Sequence, residues 1–406
     1  MKNYIIKEEP FGFVIYNRKK LSYKLIKKDR YCDYLKNNNI QKNDTTLLSV
    51  KRKDFRNDIL YSPVRIYYEL TLLCNLHCRY CFNNSGKSRA EELNTNDVLK
   101  SLDHLRECNV IDIRFTGGEP TCRKDWYEIL SYAKKLGFCI SCNTNAVFSN
   151  SSVCEKFAKL GLEQVTVSVD GNEEHHDFNR GKGSYQKMLK NLKQMSKMGV
   201  ALRINTLINK RSINDIEFLI DLASKYVAEI NFFTIVYIGR GSHLEISDGV
   251  TVDAHLKMSE RINKLKPKYP NLKILHFAES TKMMSINESG SEELGIKIGP
   301  PSGTTTFNIL SNGDYACGGY VPYITDKFKL GNIKKDSLFD VWQKSSVLEG
   351  MRKDGRKLIT FCNKCGKYQK AQCQGSKYET ELNRLLNPSV KNPTCIFGNG
   401  PSLLTY

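Results

Sequence analysis

The sequence predicts an α/β fold centred on an open, partial TIM-like barrel of six strand–helix units, and three observations lead there. Six short, apolar, β-branched runs recur between residues 64 and 238. Helical patterns lie between them, the mark of parallel βαβ crossovers. The run is also too short for a full eightfold barrel, which takes roughly 250 residues. In such a barrel the functional residues belong at the C-terminal ends of the strands.

Taken in order, residues 11–26 (FGFVIYNRKKLSYKLI) read as a β-hairpin: alternating Phe13, Ile15 and Leu21, Tyr23, Leu25 flank a polar turn at Asn17–Lys20. The next forty residues are polar, with a loop at Asn37–Asn39, so 1–63 form a small basic module. Barrel strands are expected at 64–71, 110–116, 138–144, 164–170, 201–208 and 229–238, with helices near 95–107, 125–136, 151–160, 184–198 and 213–225. Residues 241–303 make an irregular connection with one helix, about 251–265. TTTFNILSNGDYACGG then reads as a hairpin turning on Asn312–Gly313, opening a C-terminal domain over 304–406.

The 406 residues are 40% hydrophobic and 26% charged, ordinary for a globular chain. No apolar run approaches the roughly 18 residues of a membrane span. The N-terminus has acids and a proline where a signal peptide keeps its apolar stretch, so a cytoplasmic address is expected. Fourteen cysteines in a reducing compartment point to metal ligands or buried thiols rather than disulfides. The net charge of +19 favours an acidic partner or polyanion, and residues 1–60 alone carry 15 basic against 7 acidic groups. No basic run interleaved with aromatics forms a nucleic-acid stripe, so nucleic acid is disfavoured.

The first strand runs into LTLLCNLHCRYCFNNSG, which places Cys74, Cys78 and Cys81 in a C-x3-C-x2-C array at the barrel mouth. Structural zinc wants four ligands. Three thiolates in one loop suit an iron–sulfur cubane with one iron left open. The second strand ends in FTGGEP, where Gly117 and Gly118 let backbone approach a ligand and Glu119 adds an acceptor.

With these motifs the chain resembles a radical S-adenosylmethionine (radical SAM) enzyme, whose signature has an aromatic before the last cysteine, here Tyr80. The resemblance implies a [4Fe–4S] cluster on the three cysteines, with SAM chelating the fourth iron. Cleavage of SAM to a 5′-deoxyadenosyl radical and hydrogen abstraction from substrate follow from it. It also implies an electron donor such as flavodoxin or ferredoxin. It carries contacts to the SAM ammonium onto Gly117, Gly118 and Glu119. Polar contacts to ribose and carboxylate pass to Asn143, Asn145, Ser168 and Asp170, with Arg180 a carboxylate partner and Asn205 a weaker contact.

In the tail, Cys362, Cys365, Cys373 and Cys395 suit zinc or a second cluster by spacing alone. SNGDYAC, KLGNIKKDSLFDVW and CNKC resemble the SPASM extension of radical SAM enzymes that modify peptides and proteins, which implies a cluster. This chain departs from the two-cluster pattern: Pro300 and Ser376 stand near expected cysteines, leaving Cys317 as an orphan. One auxiliary [4Fe–4S] cluster on the four tail cysteines is therefore expected, with Cys317 in place of Cys395 as the alternative. The remaining cysteines (32, 108, 122, 139, 142 and 154) read as buried small hydrophobes, and His175 and His176 as a solvated loop.

The resemblance favours modification of a ribosomally made peptide, by a crosslink such as a thioether or by epimerisation. The N-terminal hairpin resembles a truncated recognition module that binds a leader by strand addition, and its charge suits an acidic leader. The alternative for this module is simple packing on the barrel. Other readings are a sulfatase-activating type of protein maturase, an RNA-modifying enzyme, and a non-enzymatic iron–sulfur protein.

Overall fold

The computed structural model describes residues 2–235, 239–244, 250, 252–276, 294–296, 301–316 and 330–352. The N-terminal module is a four-stranded sheet of β1 (Tyr4–Glu9), β2 (Gly12–Asn17), β3 (Ser22–Lys27) and β4 (Thr45–Leu48), with α1 (Tyr31–Asn37) between β3 and β4. Its strand order is β3-β2-β1-β4, so β3 and β4 are edges. The expected hairpin is β2–β3, pairing Asn17 with Ser22 across the turn. β1 went unread because Lys7 and Glu9 look solvated. Both are buried, as an ion pair 2.8 Å long, with Lys7 Nζ also donating to the Ser62 carbonyl.

The second sheet follows the expected βα order. It holds β5 (Arg65–Glu69), β6 (Asp112–Thr116), β7 (Cys139–Thr144), β8 (Gln164–Ser168), β9 (Leu202–Ile208) and β10 (Glu229–Thr234), each parallel to the next. Connecting helices are α2 (Thr95–Glu107), α3 (Trp126–Lys135), α4 (Ser152–Leu160), α5 (Glu173–Arg180), α6 (Ser184–Lys197) and α7 (Ile216–Tyr226). In α2 the Asn94 side chain caps the Asp97 amide, and Val98, Ser101, Leu102 and Leu105 repeat at helical spacing to form the buried face. The strands contribute Ile66, Ile113, Phe115, Ile140, Val165, Val167, Ile204 and Ile230, all fully buried, to a single core.

Two additions lengthen this sheet. After α8 (Val252–Leu265), β11 (Lys273–His276) pairs parallel with β10. At the other edge β12 (Thr306–Ile309) pairs parallel with β5 and turns back through Gly313 (φ 89°) into β13 (Tyr315–Ala316). The expected hairpin thus extends the barrel sheet, which among the described residues is nine strands long and open at both ends. α9 (Leu338–Lys344) and α10 (Ser346–Arg352) close against its β12 side, where Trp342 donates to the Leu60 carbonyl. Cys317, Cys362, Cys365, Cys373 and Cys395, with Pro300 and Ser376, lie outside the described residues.

The N-terminal sheet is bonded to the barrel. Tyr16 donates its hydroxyl to Asp112 Oδ2 at 2.5 Å, and Arg65 pairs with the same carboxylate at 2.5 Å. Arg18 reaches the Gly137 carbonyl at 2.5 Å and Glu163 at 2.9 Å. Asp112 and Arg65 are the first residues of their strands and Gly137 precedes β7, so the module sits at the N-terminal ends. Among the described residues no helix is long and apolar enough to cross a membrane.

Candidate active site

The opposite, C-terminal ends gather the predicted residues. The cysteine loop leaves β5 and is laced to the end of β6: Gly118 N donates to Thr71 O at 2.7 Å and Glu119 N to Leu73 O at 2.8 Å. A Cβ on Gly117 would lie 2.3 Å from Thr71 O, and one on Gly118 the same distance from Leu73 O. The glycines were expected to admit a ligand. They admit the backbone of the cysteine loop, too close for any side chain at either position.

Three residues that no motif singled out hold that loop. Glu92 accepts from Leu72 N at 2.7 Å and Thr71 Oγ1 at 2.8 Å. Arg240 donates to Cys78 O at 2.8 Å and Ser85 O at 2.6 Å, while its own amide donates to Cys81 O at 3.0 Å. Asn75 Nδ2 donates to the Val147 carbonyl at 2.5 Å. Their signal in sequence is absent, because each binds backbone of a segment 20 or more residues away.

Glu119 is fully buried and accepts from Thr121 N, Thr121 Oγ1, Thr144 Oγ1 and Asn145 N. Burial raises its pKa against the pull of those four donors. Through them it fixes the end of β7, where Asn145 donates to Asn75 Oδ1 at 2.8 Å and lies 3.9 Å from Cys74 Sγ. Asn143 is half-buried on the same strand. Burial pushes the Cys74 thiol up to about 12 and raises Cys78 as well. A metal bound there would supply charge that favours the thiolate forms.

A second group forms around Asp170, also fully buried. It accepts from the Tyr80 hydroxyl, from Arg180 Nε at 2.5 Å and from Leu207 N at 3.0 Å. Burial works against the Arg180 charge, but Asp170 holds its pKa above the ordinary guanidinium range. Ser168 ends β8 in register with Asn205 on β9, whose buried Oδ1 has no partner among the described residues.

Two expectations fail here. His175 and His176 lie on α5, not in a solvated loop. His175 Nδ1 pairs with Asp215 at 2.6 Å, and His176 is buried with Nδ1 accepting from Asp170 N at 3.3 Å. The reversal arises because α5 buries His176 and Asn179 rather than aliphatics, so it shows no apolar periodicity. Of the six cysteines expected to be buried, Cys108, Cys139, Cys142 and Cys154 are, but Cys32 is exposed and Cys122 is half-buried near Glu119.

Among the described residues no three His, Cys, Asp or Glu side chains converge on one ion. One loop presenting three thiols, an orphaned Asn205 oxygen and a buried guanidinium beside them fit a cluster with an amino-acid-bearing cofactor.

Comparison with known proteins agrees. Residues 68–223 match the Radical SAM superfamily and residues 301–366 an iron–sulfur cluster-binding domain. Mycofactocin maturase MftC of Mycobacterium tuberculosis is 28% identical over 355 residues, covering 85% of this chain and 86% of that protein. The AdoMet-dependent heme synthase of Methanosarcina barkeri is 27% identical, over 84% of this chain and 98% of its own. The fold superposes on Streptococcus suis SuiB, solved bound to precursor peptide SuiA, with a TM-score of 0.77. That match has 17% identity and covers 97% of this chain and 99% of that one. The chain is thus an enzyme of [4Fe–4S] and S-adenosylmethionine chemistry, with a radical SAM domain over residues 68–223 and an iron–sulfur cluster-binding domain at its C-terminal side.

Proposed function

We propose that this enzyme modifies a ribosomally synthesised peptide, by a crosslink such as a thioether or by epimerisation. The observation that carries the reading is likeness over most of the chain to a protein named a maturase, together with a shared fold with one solved on a precursor peptide. MftC is named a maturase, and SuiB was solved with a precursor peptide.

Cys74, Cys78 and Cys81 hold the cluster, and Asn145 and Glu119 order the thiol loop from below. Arg180, Ser168 and Asn205 would hold the SAM polar groups, and Tyr80 ties the loop to Asp170. Together the cluster and SAM supply one-electron chemistry that takes a hydrogen atom from a bound substrate. Cys362, Cys365, Cys373 and Cys395 would hold one auxiliary [4Fe–4S] cluster, which would supply further one-electron chemistry, and flavodoxin or ferredoxin would be the external donor.

The test is anaerobic co-expression with the short peptide encoded beside the gene, in deuterated water, followed by mass measurement. Loss of two hydrogens per event marks a crosslink, and gain of one deuteron at an α-carbon marks epimerisation. An unchanged peptide with SAM still cleaved ends this reading. The heme synthase favours a second one, a haem-type substrate. An unperturbed Soret band on titrating haemin into the holoenzyme excludes it.

A further inference from the structure

Beside the Tyr80–Asp170–Arg180 group lies a cavity of about 350 Å³, lined in part by Arg79, Phe178, Asn179, Asn209, Lys210 and Arg211. The lining has three cations and no carboxylate. Arg79 belongs to the cysteine loop itself, between Cys78 and Cys81, and its amide donates to Asn179 O at 3.0 Å. The Arg79 and Arg211 guanidinium carbons lie 4.2 and 4.1 Å from the centre of one ring, Phe178, which is 40% exposed. Stacking on a shared ring holds both cations in place without neutralising them. Neither they nor Lys210 has an acidic partner among the described residues.

An independent feature points the same way. Asn209 Oδ1 accepts from the amides of Arg211 and Ser212, at 2.9 and 3.0 Å, which fixes the direction of its own side-chain amide. Its Nδ2 therefore donates, and Asn179 must offer Oδ1 to it, at 3.0 Å. The Asn179 nitrogen is what remains. It is a buried donor with no acceptor, on a residue only 3% exposed that lines the cavity. Native proteins seldom leave such a donor unpaired without a ligand or water to meet it.

We infer that this cavity receives a carboxylate of the peptide substrate, held by Arg79, Arg211 and Lys210 with Asn179 Nδ2 as the directional donor. The inference rests on the peptide reading above and narrows its substrate class. Guanidinium forks match the two oxygens of a carboxylate. Ile235 and Leu244 add apolar wall that would take the methylene stem of an acidic side chain. A glutamate or aspartate side chain and a peptide C-terminus share this chemistry.

The test is calorimetric titration of the reconstituted holoenzyme with SAM present at low salt. Three probes are used: acetyl-Gly-Gly-Glu-Gly-Gly-amide, acetyl-pentaglycine with a free C-terminus, and acetyl-Gly-Gly-Gln-Gly-Gly-amide. One carboxylate probe should bind at least tenfold tighter than the neutral glutamine probe, and which one does so identifies the source. Arg211→Gln should lose that preference. Asn179→Asp should lose it too, since it keeps the acceptor for Asn209 and replaces the free donor with a negative oxygen. Equal binding of all three probes overturns the inference. A parallel fall in SAM affinity in either variant overturns it as well, by assigning the cavity to SAM. Displacement of the best probe by equimolar inorganic phosphate makes it a phosphate site and also overturns it. Carboxylate preference without modification of the neighbouring peptide would sink the maturase reading and leave the cavity standing.

Discussion

Arg180 Nε donates to Asp170 Oδ2 at 2.5 Å, and the Tyr80 hydroxyl donates to the same oxygen. One buried carboxylate thereby ties the cysteine loop, α5 and, through Leu207 N, strand β9. Asp170→Ala leaves the Arg180 charge buried and unpaired, a loss of about 3–5 kcal/mol. Asp170→Asn keeps the shape and should cost less. Urea unfolding of the two variants, with iron content per chain measured alongside, checks the order.

Gly118→Ala pushes a methyl to 2.3 Å from Leu73 O and 2.6 Å from Leu72 O, backbone atoms that cannot swing aside. The cost is expected near the upper end of the roughly 1–3 kcal/mol of overpacking. The displaced segment is the cysteine loop, so iron retention should fall with stability. Gly137→Ala is the control, because its Cβ meets nothing within 4 Å although its φ of +87° still carries some strain.

Arg240→Met keeps length and removes the donors to Cys78 O and Ser85 O. Hydrogen bonds from a charged donor contribute about 1.5–3 kcal/mol each, less where partly exposed. The global midpoint should move little, since the barrel core is untouched, whereas cluster loss under a chelator should quicken several-fold. The decay of the visible absorption band of the reconstituted protein reads this directly.

His176 supplies a pH test. Burial, then the Arg180 charge, lower its pKa to about 4, against Asp170 and Asp177, with the Tyr185 ring packed edge-on. Unfolded, it titrates near 6.5. Between those values the unfolded chain binds a proton that the native chain refuses, so stability falls as pH drops from about 6.5 to 4. The full effect is of order 3 kcal/mol. His176→Asn should flatten that part of the difference curve in denaturant unfolding from pH 7 to pH 4.

The barrel was legible in the sequence because its strands are short apolar runs and its glycine and cysteine motifs fall at their ends. β1 was not, since Lys7 and Glu9 neutralise each other out of sight of water. Nor was α5, whose inner face is a histidine and an asparagine. β11 was not read either, because at four residues it is too short to show a periodicity and takes its place from pairing with β10. Of the site, the residues with family motifs were readable. Glu92, Arg240 and the Arg79–Phe178–Arg211 stack were not, because their roles arise only when segments separate in sequence meet.

The docking of the N-terminal sheet at the strand starts sets a ruler for any peptide captured there. Strands of five to seven residues separate that end from the cysteine loop, about 20 Å at ~3.3 Å per residue. Were a leader to pair along β3, as the proposed function suggests, it would need at least six or so extended residues as a tether before its first reactive position reached the mouth. Beyond that minimum, added slack dilutes the effective concentration of the reacting segment only gradually. Below it, capture and reaction exclude each other, so the chain would select its targets by leader-to-core distance as well as by sequence.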